Sequence, residues 1–584
     1  MSIDTINQEE KAKPGTLEAD DRAPPGGKPP SSPAGKMPPS AIFLLIAICI
    51  LGASLRFAGI TWSLPDVAHP LATYQPDELI NLNAAMQADI PHGRLDIGFY
   101  NYGAFYFYLV SFAHTIASGY HLITPASAVS PASQAAHQAE LFLIGRVVSA
   151  ILGTLTIPVV FALGNRLYER KTGLSAAFLY AVAPLAVVYA HFLAVDVTAV
   201  FFTALALLWS ARILQNKPDT RDLILTGVWA GLAAATKYNA GLVILSPLYV
   251  LWGRKKEGGI GKQIGMLLGS TALSFFIGCP GPIINWNAFW NGIPGYPGSG
   301  IYYELFVHSR QGHGLLFVHT GTGWWYHLAI SLPWGLGIPL FLLSGIGLAS
   351  ALIRRSQSDK FLLFFTLVYF GVIGFSAVRF ARYTLPIYPG ICLLASEAAL
   401  GDYAHWKKLT PLIKLFFLYT SLVTLWISLS LDNIMMERTP QDNANIYLQL
   451  LPKGATIAFG TLPWFYSPPL SPYFGAPAPL VRERAAFNQS RFRLLLPSKD
   501  WDLSVLSPPP DAVVISNFET MHPLRLGLPG VHRFLHAIPA DYIRKTFGVS
   551  TPFGLPDETT LIPDDMLYVM PKITVYINPQ ALKN

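Results

Sequence analysis

Residues 145–202 read GRVVSAILGTLTIPVVFALGNRLYERKTGLSAAFLYAVAPLAVVYAHFLAVDVTAVFF. The stretch joins three apolar runs, near 140–164, 173–191 and 196–214. Each matches the roughly 20 residues that a helix needs to cross a hydrocarbon core of about 30 Å. The first link, RLYERK (166–171), is basic; the second, HFLAVD (191–196), carries His191 and Asp196. Lys and Arg collect on the inner side of a membrane, so the first link is an inner turn and the second an outer one.

Composition extends that reading to the whole chain. Of its 584 residues 52% are hydrophobic and only 13% charged, against about 25% charged in a soluble globular protein. The expected class is a polytopic α-helical membrane protein. Spans are expected near 41–60, 140–164, 173–191, 196–214, 222–236, 239–253, 264–284, 327–352, 361–378, 384–400 and 411–431, about 11 by the same length rule. Residues 105–123 are aromatic-rich and interrupted by His114, which fits an interfacial helix better than a crossing. With the N-terminus inside, the inner links RLYERK, QNKPDTRD (215–222), GRKKEGGIGK (253–262), RRSQSDK (354–360) and HWKK (405–408) are all basic. The odd number of spans then places the C-terminus outside.

Three domains follow. Residues 1–40 are polar and rich in Pro, Gly and Ser, without the apolar region of a signal peptide, and are expected to be a disordered cytoplasmic tail. Residues 41–431 form the membrane domain, with long outer loops at 61–139 and 285–326. Residues 432–584 have the composition of a soluble exoplasmic α/β domain, in which ATIAFG, DAVVISNF and ITVYINP read as strands. The net charge of +7 is distributed between apolar segments rather than gathered into a nucleic-acid-binding face. Cys49, Cys279 and Cys392 all lie in apolar runs, so neither a disulfide framework nor a cysteine metal site is expected. No HExxH or P-loop occurs.

The candidate site emerges from charges that the membrane pattern does not require. Asp77 and Glu78 follow the first span in YQPDELI (74–80); Asp196, Lys237, Arg379, Arg382 and Tyr383 lie in short outer links. Ionisable groups at membrane depth cost roughly 2.5–3.5 kcal/mol each on insertion, so they pair or line a polar cavity. Each has a purely structural explanation as well. Asp77, Glu78 and Asp196 suit the first turn of a helix, and Lys237, Arg379 and Arg382 could snorkel to the interface. Arg56 and Arg146 suit snorkelling or inter-helix pairing. Convergence of acids and bases on one membrane face favours a site. Carboxylates there could deprotonate a hydroxyl nucleophile, and Lys and Arg could bind a lipid phosphate. YYELFVHSRQGHG (302–314) adds Glu304, His308, Arg310 and His313, whose spacing is not diagnostic of a metal.

Taken together, PDE (76–78), FYNYGAFYFYL (99–109), the 145–202 block with Arg146, Pro184, His191 and Asp196, ATKYNAG (235–241) and RFARYTLPIYPG (379–390) resemble the integral-membrane glycosyltransferases of the GT-C class. Within it they are most similar to the protein-mannosyltransferase and aminoarabinose-transferase-like family, over roughly 41–400. The resemblance implies a GT-C fold, a polyprenyl-phosphate sugar donor and inverting transfer on the exoplasmic side. The acceptor would be protein, lipid or polysaccharide. It implies Asp77 as catalytic base, with Glu78 beside it and Asp196 at a second acidic position of the catalytic site. Lys237, Arg379, Arg382 and Tyr383 are implied at the donor phosphate, and His191, Glu304, His308 and His313 at the substrate loop. No cofactor is certain, and a divalent metal stays open. The C-terminal region lacks the repeated modules of eukaryotic protein mannosyltransferases, which points to a bacterial inner-membrane enzyme. A transporter or flippase of lipid-linked sugars is the alternative, as is a membrane anchor for an active C-terminal domain.

Overall fold

The computed structural model describes residues 37–125, 130–255, 258–401, 408–472, 489–549 and 562–582. Most of the expected N-terminal tail and most of HWKK fall outside the described residues.

Helices account for every apolar run named above. The membrane part contains α1 (Pro39–Phe57), α2 (Glu78–Gln87), α3 (Phe105–Gly119), α4 (Pro131–Leu167), α5 (Arg170–Ala181), α6 (Pro184–His191), α7 (Val195–Gln215), α8 (Thr220–Thr236) and α9 (Tyr238–Gly253). It continues through α10 (Ile260–Gly278), α11 (Gly323–Leu336), α12 (Ile338–Arg354), α13 (Gln357–Ile373), α14 (Tyr388–Leu400) and α15 (Thr410–Met436). Five of the described helices are long and apolar enough to cross a membrane, or up to seven if each bent pair is one span. The protein is therefore a polytopic helical membrane protein, with a span count below the 11 expected by these criteria. The shortfall lies in α8, α9, α13 and α14, which are shorter than a full crossing.

Two further differences have clear causes. Span 173–191 is bent by 63° between α5 and α6, where Pro184 opens the second helix and cannot continue the first. Residues 327–352, expected as one span, fold as α11 and α12 meeting at 119°. Gly337 sits at that corner with φ +78°, a conformation open to glycine. α4 begins earlier than expected, at Pro131, capped by Ser130. Its 37 residues reach about 55 Å and so project beyond a bilayer core.

α5, α4, α7, α8 and α10 pack as successive neighbours. A methyl group at Gly164 of α4 would lie 2.7 Å from the Gly173 backbone of α5, so small residues set this close approach. Outward faces remain apolar: Leu273 and Ile277 on α10, and Leu412, Leu415, Leu422 and Trp426 on α15, are exposed, as expected of surfaces that meet lipid.

The C-terminal region forms a five-stranded sheet in the order β2-β1-β3-β5-β4. Its strands are β1 (Thr456–Phe459), β2 (Arg493–Leu495), β3 (Ala512–Ser516), β4 (Ile543–Phe547) and β5 (Ile573–Ile577). β1 runs parallel to β2 and β3, and β5 runs antiparallel to β3 and β4. The three expected strands are β1, β3 and β5. β2 has only three residues, and β4 is an almost wholly exposed edge, so neither carries the short apolar run that marks the other three. Ile457, Val514 and Val575 face one core, and Ala458, Val513 and Phe534 the other. The segment Ile562–Met570 departs from both. Ile562, Met566, Leu567, Val569 and Met570 pack into the main cluster of the membrane domain.

Candidate active site

The loop entering α2 separates the two members of the acidic pair. Gln75 Oε1 accepts the backbone N–H groups of Asp77 (2.7 Å) and Glu78 (2.8 Å), so glutamine caps this helix. The Asp77 side chain makes no capping bond. It is one-third exposed and lies 3.1 Å from Arg382 Nη2, whose side chain is 4% exposed. Gln75 Nε2 approaches the same oxygen at 3.5 Å, leaving Asp77 Oδ1 without a hydrogen bond among the described residues.

Glu78 is the opposite case. Both it and Arg146 are fully buried. Arg146 donates to Oε1 from Nε (2.8 Å) and to Oε2 from Nη2 (2.6 Å). Thr73 Oγ1 donates to Oε2 at 2.5 Å and the Leu193 N–H to Oε1 at 2.7 Å. About four acceptor sites exist on a carboxylate, and all four are taken. Arg146 also donates to the carbonyls of Ile60 and Trp62. The expected catalytic role of Glu78 does not fit this geometry: it ties the loop after α1 to α4 and to the start of α7, and thereby holds Asp77.

Asp196 and Lys237 form a second buried pair, with Nζ donating to Oδ1 at 2.6 Å. Lys237 is the C-terminal boundary residue of α8 and Asp196 lies in the first turn of α7. The Tyr383 ring lies 4.6 Å from Lys237 Nζ and the Tyr102 ring 5.8 Å. Arg382 stacks on Phe380 at 4.0 Å. Burial first, and then Asp77, raises the Tyr102 phenol well above its ordinary range, so it stays a neutral hydrogen-bond donor. Asp77, Arg382, Tyr102, Tyr383, Asp196 and Lys237 thus share one basin.

The remaining expected residues divide. Arg379 turns away from Arg382 and donates to Thr320 Oγ1 at 2.6 Å and to the Phe317 carbonyl at 3.4 Å. His191 is fully buried, with its ring nitrogens 2.9 Å from the Val187 carbonyl and 2.7 Å from that of Ala58. It braces α6 against the end of α1 rather than opening to the basin. Glu304, His308 and His313 do come together. Glu304 Oε2 lies 2.9 Å from His308 Nδ1, and His308 Nε2 lies 3.0 Å from His313 Nδ1. His313 rests on Phe380, beneath Arg382. Burial, with His308 beside it, lowers the His313 pKa. Among the described residues no three or more His, Cys, Asp or Glu side chains are grouped to hold a metal ion.

Sequence reasoning missed Tyr189 and Asp565. Asp565 Oδ1 accepts the Ala381 N–H at 3.1 Å, and Oδ2 accepts the Arg382 N–H at 3.0 Å. Tyr189 Oη donates to Oδ2 at 3.1 Å and accepts from Arg382 Nη1 at 3.2 Å. Burial raises the Asp565 carboxyl, against the pull of Arg382 and these backbone groups. Its neighbour Asp564 faces elsewhere. It is 2.5 Å from His522 Nε2 and lines a cavity of about 310 Å³ with Thr320, Trp325 and Arg525. The acidic dipeptide was visible in the sequence, but nothing in its spacing tied it to position 382.

This fold and basin define a polytopic helical membrane protein with a composite charged site between membrane helices and a C-terminal α/β domain. Residues 140–280 match the family model of dolichyl-phosphate-mannose-protein mannosyltransferases. Among solved structures, the chain is similar to ArnT from Cupriavidus metallidurans bound to undecaprenyl phosphate. The identity is 13% over 92% of this chain and 98% of that one, with a TM-score of 0.47. It is also similar to the Archaeoglobus fulgidus oligosaccharyltransferase in its apo form, with 16% identity, 72% of this chain, 62% of that one and a TM-score of 0.43. A third likeness is to the S. cerevisiae protein O-mannosyltransferase Pmt1-Pmt2 complex bound to the sugar donor, with 14% identity, 45% and 36% coverage and a TM-score of 0.33. No curated protein matches. All three TM-scores lie below 0.5, so the side chains themselves and the matched segment carry the functional reading.

Proposed function

We propose that the protein is a glycosyltransferase that moves a sugar from a polyprenyl-phosphate donor to a hydroxyl acceptor at the exoplasmic membrane face, with inversion. The observation that carries this reading is the Asp77–Arg382 pair: a half-open carboxylate, free of capping duty, 3.1 Å from a buried guanidinium. Such a pair can serve the two ends of one displacement. The acceptor oxygen attacks the anomeric carbon from the side opposite the phosphate, and its proton passes to Asp77. The bond from the anomeric carbon to the phosphate oxygen breaks, and its electron pair leaves with the polyprenyl phosphate. Arg382 is suited to receive that dianion through paired N–H groups. Phosphate leaves readily, so no covalent sugar intermediate is needed.

The rest of the basin supports these two roles. Asp196 holds the Lys237 side chain beneath Tyr383 and Tyr102, where the ammonium can share the donor phosphate. Glu78 and His191 keep the loop and α6 in place. Glu304, His308 and His313 approach from the second long loop and suit contact with the sugar or the acceptor. Arg379, fixed on Thr320, acts at the edge. The basic links favour a cytoplasmic N-terminus and an exoplasmic C-terminal domain, and the lack of the repeated modules of eukaryotic protein mannosyltransferases favours a bacterial inner membrane. The acceptor class is protein, lipid or polysaccharide.

The test is incubation of the protein in proteoliposomes with a panel of polyprenyl-phosphate sugars, with products followed by mass spectrometry. Sugar transfer from one of them is expected. Movement of intact donor across the bilayer without turnover would replace this reading with the transporter.

A further inference from the structure

The C-terminal domain reaches Arg382 through the segment Ile562–Met570. Its apolar side chains Met566, Leu567 and Met570 are buried in the membrane domain's core, whereas the five strands enclose cores of their own. Asp565, 1% exposed, stands at the tip of this insertion. Its two oxygens accept the consecutive backbone N–H groups of Ala381 and Arg382, and the Tyr189 hydroxyl links it to the Arg382 guanidinium. One carboxylate therefore holds both the backbone and the side chain of the same arginine. An arginine side chain has several rotatable bonds, and ordering it on its own would cost entropy. Charge-assisted hydrogen bonds accepted by a buried carboxylate are strong enough to hold it in one position.

We infer that Asp565 is a positioning residue that acts from the C-terminal domain, through the Arg382 backbone and the Tyr189 hydroxyl, to set the Arg382 guanidinium for the donor phosphate. The active site is then built by two domains, and the C-terminal domain is needed for donor binding whatever it does with the acceptor. This deepens the proposed function and rests on it for the identity of the phosphate ligand.

The test uses the full chain with Tyr189→Phe and Asp565→Asn, two measurements and a thermal unfolding check. Tyr189→Phe removes only the hydroxyl link and leaves the backbone bonds, so it keeps the test open if Asp565→Asn fails to fold. The first measurement is phenylglyoxal labelling of Arg382 read by peptide mass spectrometry, expected to be several-fold faster in both variants. The second is binding of a polyprenyl monophosphate in detergent micelles, expected to weaken about tenfold, the scale of a lost hydrogen bond to a charged group. The unfolding midpoint of Tyr189→Phe is expected to stay within about a few degrees of the wild-type value, which separates positioning from general destabilisation. Labelling that does not change in either folded variant overturns the inference, whatever the lipid result. Faster labelling with unchanged lipid affinity would keep Asp565 as the holder of Arg382 and remove Arg382 from the phosphate site. Failure of the wild-type protein to bind the lipid would count against the proposed function, and labelling would still decide the role of Asp565.

Discussion

Adjacent residues Asp77 and Glu78 anchor two regions that share a vocabulary of one acid and one arginine and use it for opposite ends. Around Glu78 every acceptor site is filled, both partners are fully buried, and Arg146 is further tied to two carbonyls. Around Asp77 the carboxylate is one-third exposed and one oxygen stays open. The difference teaches that charge and position alone do not mark a reactive group at membrane depth. Saturation does: a carboxylate whose acceptors are all occupied holds structure, and one with an open oxygen can take a proton.

The largest expected effect lies on the closed side. Glu78→Ala or Arg146→Ala would strand a buried charge, and breaking a buried pair costs about 3–5 kcal/mol. Loss of folded protein on size-exclusion chromatography is the expected outcome. Recovery of a folded, active Glu78→Ala protein would erase the distinction between the two regions. On the open side, Asp77→Asn is expected to lower sugar transfer by about 10²–10⁴-fold, the usual share of a general base. Its unfolding midpoint and polyprenyl phosphate affinity should hold. Full activity in that variant would remove Asp77 as the base.

Arg382→Ala should act in a third way, raising the apparent donor KM by roughly tenfold or more while the protein remains folded. Arg382→Lys should not restore the affinity, because an ammonium cannot make the paired contact. The most local effect is expected in the C-terminal domain, where burial raises the Glu519 carboxyl from 4.5 to about 7. Among the described residues no cation pairs with it, and it accepts from Thr461 Oγ1 (2.6 Å) and the Ser516 N–H (3.1 Å). A raised acid binds its proton more tightly when folded, so its contribution is fully present below about pH 4.5 and is lost as pH rises through about 7. Unfolding of the full chain, followed by a probe in that domain, should show this loss, and Glu519→Gln should flatten it. A buried acid with a cation and one without would then be separated by pH alone.

Several parts of this molecule were legible in the residues themselves. Apolar length placed a helix on each expected span, and short apolar, β-branched runs between loops found β1, β3 and β5. Charges out of keeping with the membrane pattern pointed to Asp77, Asp196, Lys237 and Arg382, which do share one basin. These are local signals, because length, hydropathy and an unexpected charge can each be read within a few turns of chain. Tertiary structure alone decided which acid is closed and which is open, since Gln75 rather than Asp77 caps α2 and Arg146 comes from 68 residues away. It also decided the corner at Gly337, the turning of Arg379 towards Thr320, and the reach of Asp565 across 183 residues to Arg382. Hydrogen-bond saturation depends on what the fold brings within about 3 Å, and no spacing along the chain records that.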